Sequence, residues 1–456
     1  MNFLSVLSVL LLLGAANATA LEHPRTLIPR APLPPAEFSV PITGKVPRRK
    51  SKSNALARRG HLGGGGGYTS IVDGTLGDNE FVTNVTIGGQ HFSLIIDTGS
   101  SDTWAIQKGF QCLSADGTRV PQSTCGFGSS GFDVNGSTTF QPSNLSFLGA
   151  YGNGWSVAGP VGYDTVAIGG LSVEHQLVPI PNAAYYTGDG VNSGVLGLAF
   201  PTVTSVYNTT DPANATTENH LLYNPFFFTA VKEKKVKHPY FSLTLDRGTF
   251  QQRENDTFDA NLGLLSFGGI SPVAVVEPCV TVPIQGYSTN STGSITPSDS
   301  PDAQYFWYTV DVANYGIAGS AELLTGSNNT ILDSGTGLNN VPPDVAAAFA
   351  AAFNPPAVLT NLTAGLELYV VDCNATAPEF LVHIGGKTFS IDPQDQIVPL
   401  GADAQGNEIC VSGTQGGTLT NNPNGILILG DVFFHNVVIT FNPIDGEVTI
   451  TQRAKY

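Results

Sequence analysis

The sequence predicts a mainly β chain arranged as two lobes. Three observations lead there: a composition poor in charge and rich in turn and strand formers, strand-length apolar segments recurring between turn signals, and two halves that echo each other. With 456 residues, 41% of them hydrophobic, the chain can bury one or two substantial cores. Only 12% of residues are charged and 52 are glycine, a balance that favours short strands and turns over long helices.

From Phe81 onward the apolar segments have strand length. Phe81-Val-Thr-Asn-Val-Thr-Ile87, Gly88-Gly89 and Phe92-Ser-Leu-Ile-Ile96 make a hairpin pattern. Helices are expected in two places, Asn224 to Lys237, whose Pro225 suits a first turn, and the Ala-rich stretch Pro343 to Phe353. Lys232, Lys234, Lys235 and Lys237 read as the solvated end of the first helix, and an acidic body makes a nucleic-acid patch out of place.

The echo is specific. Leu94-Ile-Ile-Asp97-Thr-Gly-Ser100 resembles Thr330-Ile-Leu-Asp333-Ser-Gly-Thr336, and Val195-Leu-Gly197-Leu resembles Ile428-Leu-Gly430-Asp431. In both halves two apolar residues and a glycine follow the Asp loop at long range. This points to an internal duplication with its boundary between Asp246 and Pro272, placed at residues 61–260 and 261–456.

Ahead of the duplicated body lies a leader. The apolar run Phe3 to Leu13 and the small residues Ala18 and Ala20 read as a secretory signal over residues 1–20. The run is shorter than the ~20 apolar residues that span a bilayer, so no membrane anchor is expected. Residues 1–60 hold nine basic side chains against two acidic ones, about +7, which leaves about −23 on the remainder of a chain of net charge −16. A basic, Pro-rich segment ending in Arg58-Arg59 before Gly63 to Gly67 reads as a removable pro-segment, residues 21–60, with the mature start near Gly60. Charge attraction would hold it at neutral pH and weaken on acidification. Sequons at Asn84, Asn135, Asn144, Asn208, Asn214, Asn255, Asn290, Asn328, Asn361 and Asn374 fit a secreted glycoprotein.

Two aspartates on tight loops, Asp97 and Asp333, are the candidate chemistry. One Asp-Thr-Gly is an ordinary turn, but the pattern occurs twice, each time directly after an apolar strand. Amide hydrolysis needs a base for water and an acid for the leaving nitrogen, and two carboxylates supply both. At about 3 Å and an effective dielectric near 20 their repulsion is roughly 5 kcal/mol, or about 4 pK units, so they share one proton over a broad acidic range. Such coupling is established behaviour for carboxylates sharing a site. Gly99 and Gly335 permit close approach; Ser100 and Thr336 are candidates to orient the carboxylates, Thr98 and Ser334 to brace the loops.

These motifs, with Asp97-Thr-Gly-Ser-Ser-Asp-Thr-Trp104, Gly162-Tyr-Asp-Thr-Val166, Gly194-Val-Leu-Gly-Leu-Ala-Phe200 and Ile428-Leu-Gly-Asp-Val-Phe433 in order, make the chain resemble the pepsin-like aspartic endopeptidases of family A1, secreted fungal type. The resemblance implies an all-β fold of two β-barrel-like lobes with the active-site cleft between them. It implies an aspartic endopeptidase made as a zymogen, acting as a monomer on protein and peptide substrates. It also implies a flap in which Tyr151 reaches toward Trp104 and covers the substrate, with Gly152 and Asn153 beside it. Cys112–Cys125 and Cys373–Cys410 match as disulfides, leaving Cys279, flanked by strand-like valines, as a buried thiol. Gly337 stands where the family usually has Ser or Thr and removes a hydroxyl expected to contact substrate backbone. Asn153 stands where some relatives carry an aspartate that welcomes lysine, so large apolar side chains are the expected preference.

No metal or other cofactor is expected, since the eight histidines are scattered and neither a His-Glu-x-x-His nor a Gly-x-Ser-x-Gly motif occurs. A glycoside hydrolase also uses two carboxylates but leaves the paired Gly loops and leader unexplained. A catalytically silent member of the fold usually lacks one Asp loop or the flap tyrosine.

Overall fold

The computed structural model describes residues 33–45, 81–188, 190–247, 258–259, 262–289, 295–298, 300, 302–363, 366–402, 405–416 and 427–456. The signal run, Arg58-Arg59, the glycine run, the expected mature start and the sequons at Asn255 and Asn290 lie outside the described residues. The architecture is all-β and two-lobed. A fourteen-stranded sheet gathers strands between residues 43 and 259, while a seven-stranded and a four-stranded sheet gather strands between 309 and 429. A six-stranded sheet joins the two, running in the order Phe38–Pro41, Gly263–Phe267, Phe241–Leu245, Val437–Asn442, Glu447–Arg453, Val275–Pro283.

The expected hairpin forms between Phe81–Ile87 and Gln90–Asp97, with Ile87 opposite Gln90. Gly88 and Gly89 close it at φ 53° and 78°, left-handed values that suit a two-residue hairpin turn. The duplication is visible in the pairing. Gly194–Gly197 lies parallel to Gln90–Asp97 with Gly197 opposite Asp97, and Leu427–Leu429 lies parallel to Leu323–Leu332 with Leu429 opposite Leu332.

The first helix spans Phe226–Lys232, shorter than the expected Asn224 to Lys237. Lys234 turns left-handed at φ 57°, and the amides of Lys234 and Lys235 bond back to the carbonyls of Val231 and Ala230. This closure satisfies the last carbonyls, and Val236 inserts into the core behind it. The lysines are exposed, as expected of a solvated end. The second helix is Pro343–Ala351, with Pro343 in its first turn and Phe349 fully buried.

Residues 38–45, in the basic N-terminal segment, are held by strand pairing. Phe38–Pro41 pairs with Gly263–Phe267, and Thr43–Lys45 pairs with both Phe81–Ile87 and Phe258–Asp259. Val40 and Ile42 are buried in the main core, and the Glu37 carboxylate accepts from the amides of Lys237 and His238. Backbone bonds and apolar burial therefore fix this part of the leader, and protonating carboxylates removes neither.

Both disulfides are formed, Cys112–Cys125 and Cys373–Cys410. Cys279 corrects the expectation of a buried thiol: it is exposed. On strand Val275–Pro283 the inward positions are Val280 and Val282, so strict alternation turns Cys279 outward, where its sulfur lies 3.2 Å from the Thr451 hydroxyl.

Candidate active site

Each aspartate ends an apolar strand and is followed at once by a tight turn. Gln90–Asp97 is buried over its last four residues, so Asp97 is carried to the interior, 8% exposed; Asp333 follows Leu323–Leu332 and is half-buried. The two loops meet. A Cβ added to Gly99 would sit 2.6 Å from an Asp333 oxygen, and one added to Gly335 would sit 2.5 Å from an Asp97 oxygen. Each glycine thus vacates the space that the opposite carboxylate fills.

The bracing is reciprocal. The Thr98 hydroxyl donates to the Leu332 carbonyl at 2.9 Å and accepts from the Ser334 amide at 2.9 Å. The Ser334 hydroxyl donates to the Ile96 carbonyl at 2.8 Å and accepts from the Thr98 amide at 3.2 Å. Orientation is matched as well. The Gly99 amide donates to Asp97 Oδ1 at 2.8 Å and the Ser100 hydroxyl to Asp97 Oδ2. The Gly335 amide donates to Asp333 Oδ1 at 2.8 Å and the Thr336 hydroxyl to Asp333 Oδ2 at 2.7 Å. Both oxygens of each carboxylate thus accept one hydrogen bond from their own loop, which fixes the planes of the two groups where the loops meet.

Burial first, then the charge of Asp333, pushes Asp97 up from 3.8 to about 7; the Ser100 and Gly99 bonds oppose this, and the hydrogen bond between the two carboxylates adds to it. The titrations belong to the pair. Two carboxyl groups in contact can, when one is ionised and the other protonated, take a proton from water and deliver one to a leaving group.

The family model for eukaryotic aspartyl proteases matches residues 80–453. This chain belongs to the eukaryotic aspartyl protease family. It is 36% identical over 377 residues, 82% of this chain and 79% of the relative, to a probable aspartic-type endopeptidase of Aspergillus fumigatus. It is 28% identical to rhizopuspepsin-3 of Rhizopus niveus over 89% of this chain and 86% of that one. To penicillopepsin-1 of Penicillium janthinellum it is 29% identical, over 81% and 93%. The crystal structure of an aspartic proteinase from Irpex lacteus superposes with a TM-score of 0.59 at 18% identity, covering 91% of this chain and 97% of that one, which bears on the fold alone. The chain is thus an aspartic-type endopeptidase with a pepsin-like fold.

Around the aspartyl protease loops, the turn between Gln141–Ala150 and Ser156–Ile168 carries Tyr151, whose hydroxyl accepts from Trp104 Nε1 at 2.6 Å. Gly152 and Asn153 are exposed at its tip, and the Asn153 side chain accepts from the Trp155 amide at 3.1 Å. Gly337 is buried, and its carbonyl accepts from the Val432 amide at 3.2 Å.

Sequence reasoning missed three neighbours. Trp307 donates its indole N–H to the Gly99 carbonyl at 3.0 Å; no local pattern announces it. Asp102, 4% exposed, accepts from the Tyr223 hydroxyl at 2.7 Å and the Ser205 amide at 2.9 Å, and burial pushes it up to about 7 against those bonds. Asp431, 2% exposed, is held well above the carboxylate range by burial and by the charges of Asp333 and Asp97. In the sequence it stands out only as part of the Ile428-Leu-Gly-Asp repeat.

Proposed function

We propose that this endopeptidase is secreted as a zymogen and hydrolyses internal peptide bonds of proteins at acidic pH, using water activated between Asp97 and Asp333. The observation that carries the reading is the contact between the two carboxylates across loops braced by Thr98 and Ser334. The ionised carboxylate of the pair takes a proton from water as its oxygen bonds to the scissile carbonyl carbon. The protonated partner hydrogen-bonds the carbonyl oxygen. The C–N bond then breaks with proton delivery to nitrogen, and no covalent enzyme intermediate forms. Ser100 and Thr336 keep the carboxylates oriented; Tyr151 covers the bound peptide from the turn, fixed by Trp104.

The remaining parts of the reading concern context. The basic leader, residues 21–60, is the removable segment, following a signal over residues 1–20 and preceding lobes 61–260 and 261–456. Its strands at 38–45 support a docked precursor. The sequon residues Asn84, Asn135, Asn144, Asn208, Asn214, Asn361 and Asn374 are exposed, which supports glycosylation outside the cell. Among the described residues no helix is long and apolar enough to cross a membrane. The enzyme works as a monomer, and the uncharged Asn153 favours large apolar side chains over lysine at the cleavage site.

The test acidifies the secreted protein, sequences its new N-terminus, and profiles a peptide library with wild type and Asp97→Asn. Casein clearing at pH 3 to 5 that vanishes in the variant, with cleavage at large apolar residues and no reducing-sugar release, is the expected result. Activity surviving in Asp97→Asn would overturn the mechanism, and strong cleavage after lysine would overturn the preference.

A further inference from the structure

The turn at residues 151–155 is narrow and its tip has little to hold it. Gly152, Asn153 and Gly154 are all exposed, and among the described residues the backbone bonds of the turn run within it, from the Tyr151 amide to the Trp155 carbonyl and from the Gly154 amide to the Tyr151 carbonyl, both 2.9 Å, as does the bond from the Trp155 amide to the Asn153 side chain. The two residues that flank the tip turn inward instead. Tyr151 meets Trp104. Trp155, a large aromatic in a surface turn, is only 8% exposed.

Trp155 lies on Tyr186, ring centroids 4.1 Å apart. Tyr186 is a fixed partner. It is 2% exposed, its hydroxyl donates to the buried Asn192 side chain at 3.0 Å, and two further aromatic rings pack on it. Phe127 stacks on it at 4.6 Å and 13°, and Trp104 meets it edge-on at 6.4 Å and 89°. Phe127 in turn meets Phe110 edge-on at 5.2 Å, and the two flank the loop closed by Cys112–Cys125. The two flanks of the turn therefore end on the same body: one through the Trp104–Tyr151 hydrogen bond, the other through the Trp155–Tyr186 contact, with Trp104 and Tyr186 touching.

We propose that Trp155 is a positioning residue for the endopeptidase reaction: seated on Tyr186, it is the second tether that holds the turn down over the cleft. The inference rests on the reading of residues 150–155 as the substrate cover. A hydrogen bond alone leaves the turn free to swing about Tyr151. A second contact on the opposite flank removes that freedom before substrate arrives, so less ordering is needed on binding. An aromatic pair of this kind is worth roughly two- to tenfold in an equilibrium beyond its buried area.

The measurement is kcat and KM on an extended peptide substrate, with hydrogen exchange of residues 148–156, for Trp155→Ala, Trp155→Phe, Tyr186→Leu and the double variant Trp155→Ala/Tyr186→Leu. Trp155→Ala is expected to raise KM roughly three- to tenfold with kcat nearly unchanged and exchange accelerated only in the turn. Trp155→Phe should restore most of the loss. The double variant should be no worse than the worse single, because both remove one contact. An unchanged KM in Trp155→Ala, multiplying losses in the double variant, or faster exchange throughout the first half would overturn the proposal. Tyr151→Ala serves as the reference: if it too leaves kcat/KM at the wild-type value, the cover reading itself fails.

Discussion

The two Asp loops are wired alike and surrounded differently. Counting onward from Asp97 and Asp333, Thr98 and Ser334, Gly99 and Gly335, and Ser100 and Thr336 occupy equivalent places and make equivalent bonds. The glycines at the ends of the parallel strands also match. A Cβ on Gly197 would lie 2.3 Å from the Ser101 backbone, and one on Gly430 would lie 2.2 Å from the Thr336 carbonyl. Beyond that shell the halves part. Asp102 stands where the second half has Leu338, and Asp431 stands where the first half has Leu198; all four are buried. Ser101, whose hydroxyl donates to the Phe200 carbonyl at 2.5 Å, faces Gly337 in the count. The turn that carries Tyr151 belongs to the first half. The bonding of the two Asp loops is thus symmetric, while the residues packed around them are not.

The largest effect expected of that asymmetry is on stability against pH. Asp102 rises from 3.8 to about 7 on folding, so its protonated form is favoured in the folded state. Its contribution is complete below 3.8 and is lost as pH rises through about 7. Asp97 and Asp431 act in the same direction. Asp395 acts in the opposite one. Burial works against its charge, but His435 and Arg247 hold it low, so its contribution is present above 3.8 and lost as pH falls below it. Unfolding free energy should therefore decline from about pH 4 to pH 8. Asp102→Asn should reduce that decline by on the order of 4 kcal/mol, as read by denaturant unfolding at both pH values. An unchanged pH slope would show that the extra carboxyl of the first half is electrostatically silent.

The bracing pair tests the symmetric part. Thr98→Val and Ser334→Ala each remove a hydroxyl that donates to a buried carbonyl and accepts from a buried amide. Each should lower stability by roughly 1–3 kcal/mol, and the double variant by less than the sum. A large loss in one half and none in the other would break the equivalence. The smallest effect is expected at Gly337→Ser, which copies Ser101 into the second half. A restored hydroxyl should lower KM for long peptides by roughly two- to tenfold, the value of one hydrogen bond, and leave short substrates alone.

The sequence made the duplicated loops readable because a weak turn signal became specific when it recurred after an apolar strand. Thr98, Ser334, Gly99 and Gly335 followed, since short side chains on tight loops have few roles. Contacts between distant segments left no local trace. Trp307 reaches Gly99 across 208 residues and Tyr223 reaches Asp102 across 121, and neither has a pattern of its own. The composition of the N-terminal segment leaves no sign of the strands Phe38–Pro41 and Thr43–Lys45, since prolines and basic residues surround the buried Val40 and Ile42. Cys279 was read from its neighbours' strand character alone, although counting the alternation from Val280 and Val282 would have turned it outward. The first helix was carried to Lys237 because no glycine marked its end, and Lys234 took the left-handed position instead.

The most direct test of a symmetric acid–base unit compares kcat/KM at acidic pH for Asp97→Asn, Asp333→Asn and the double variant. If the carboxylates act as one unit, each single change should remove activity by on the order of 10²–10⁴-fold, and the double variant should be no worse than either. A single variant that keeps activity within about tenfold of wild type, or losses that multiply in the double variant, would contradict it.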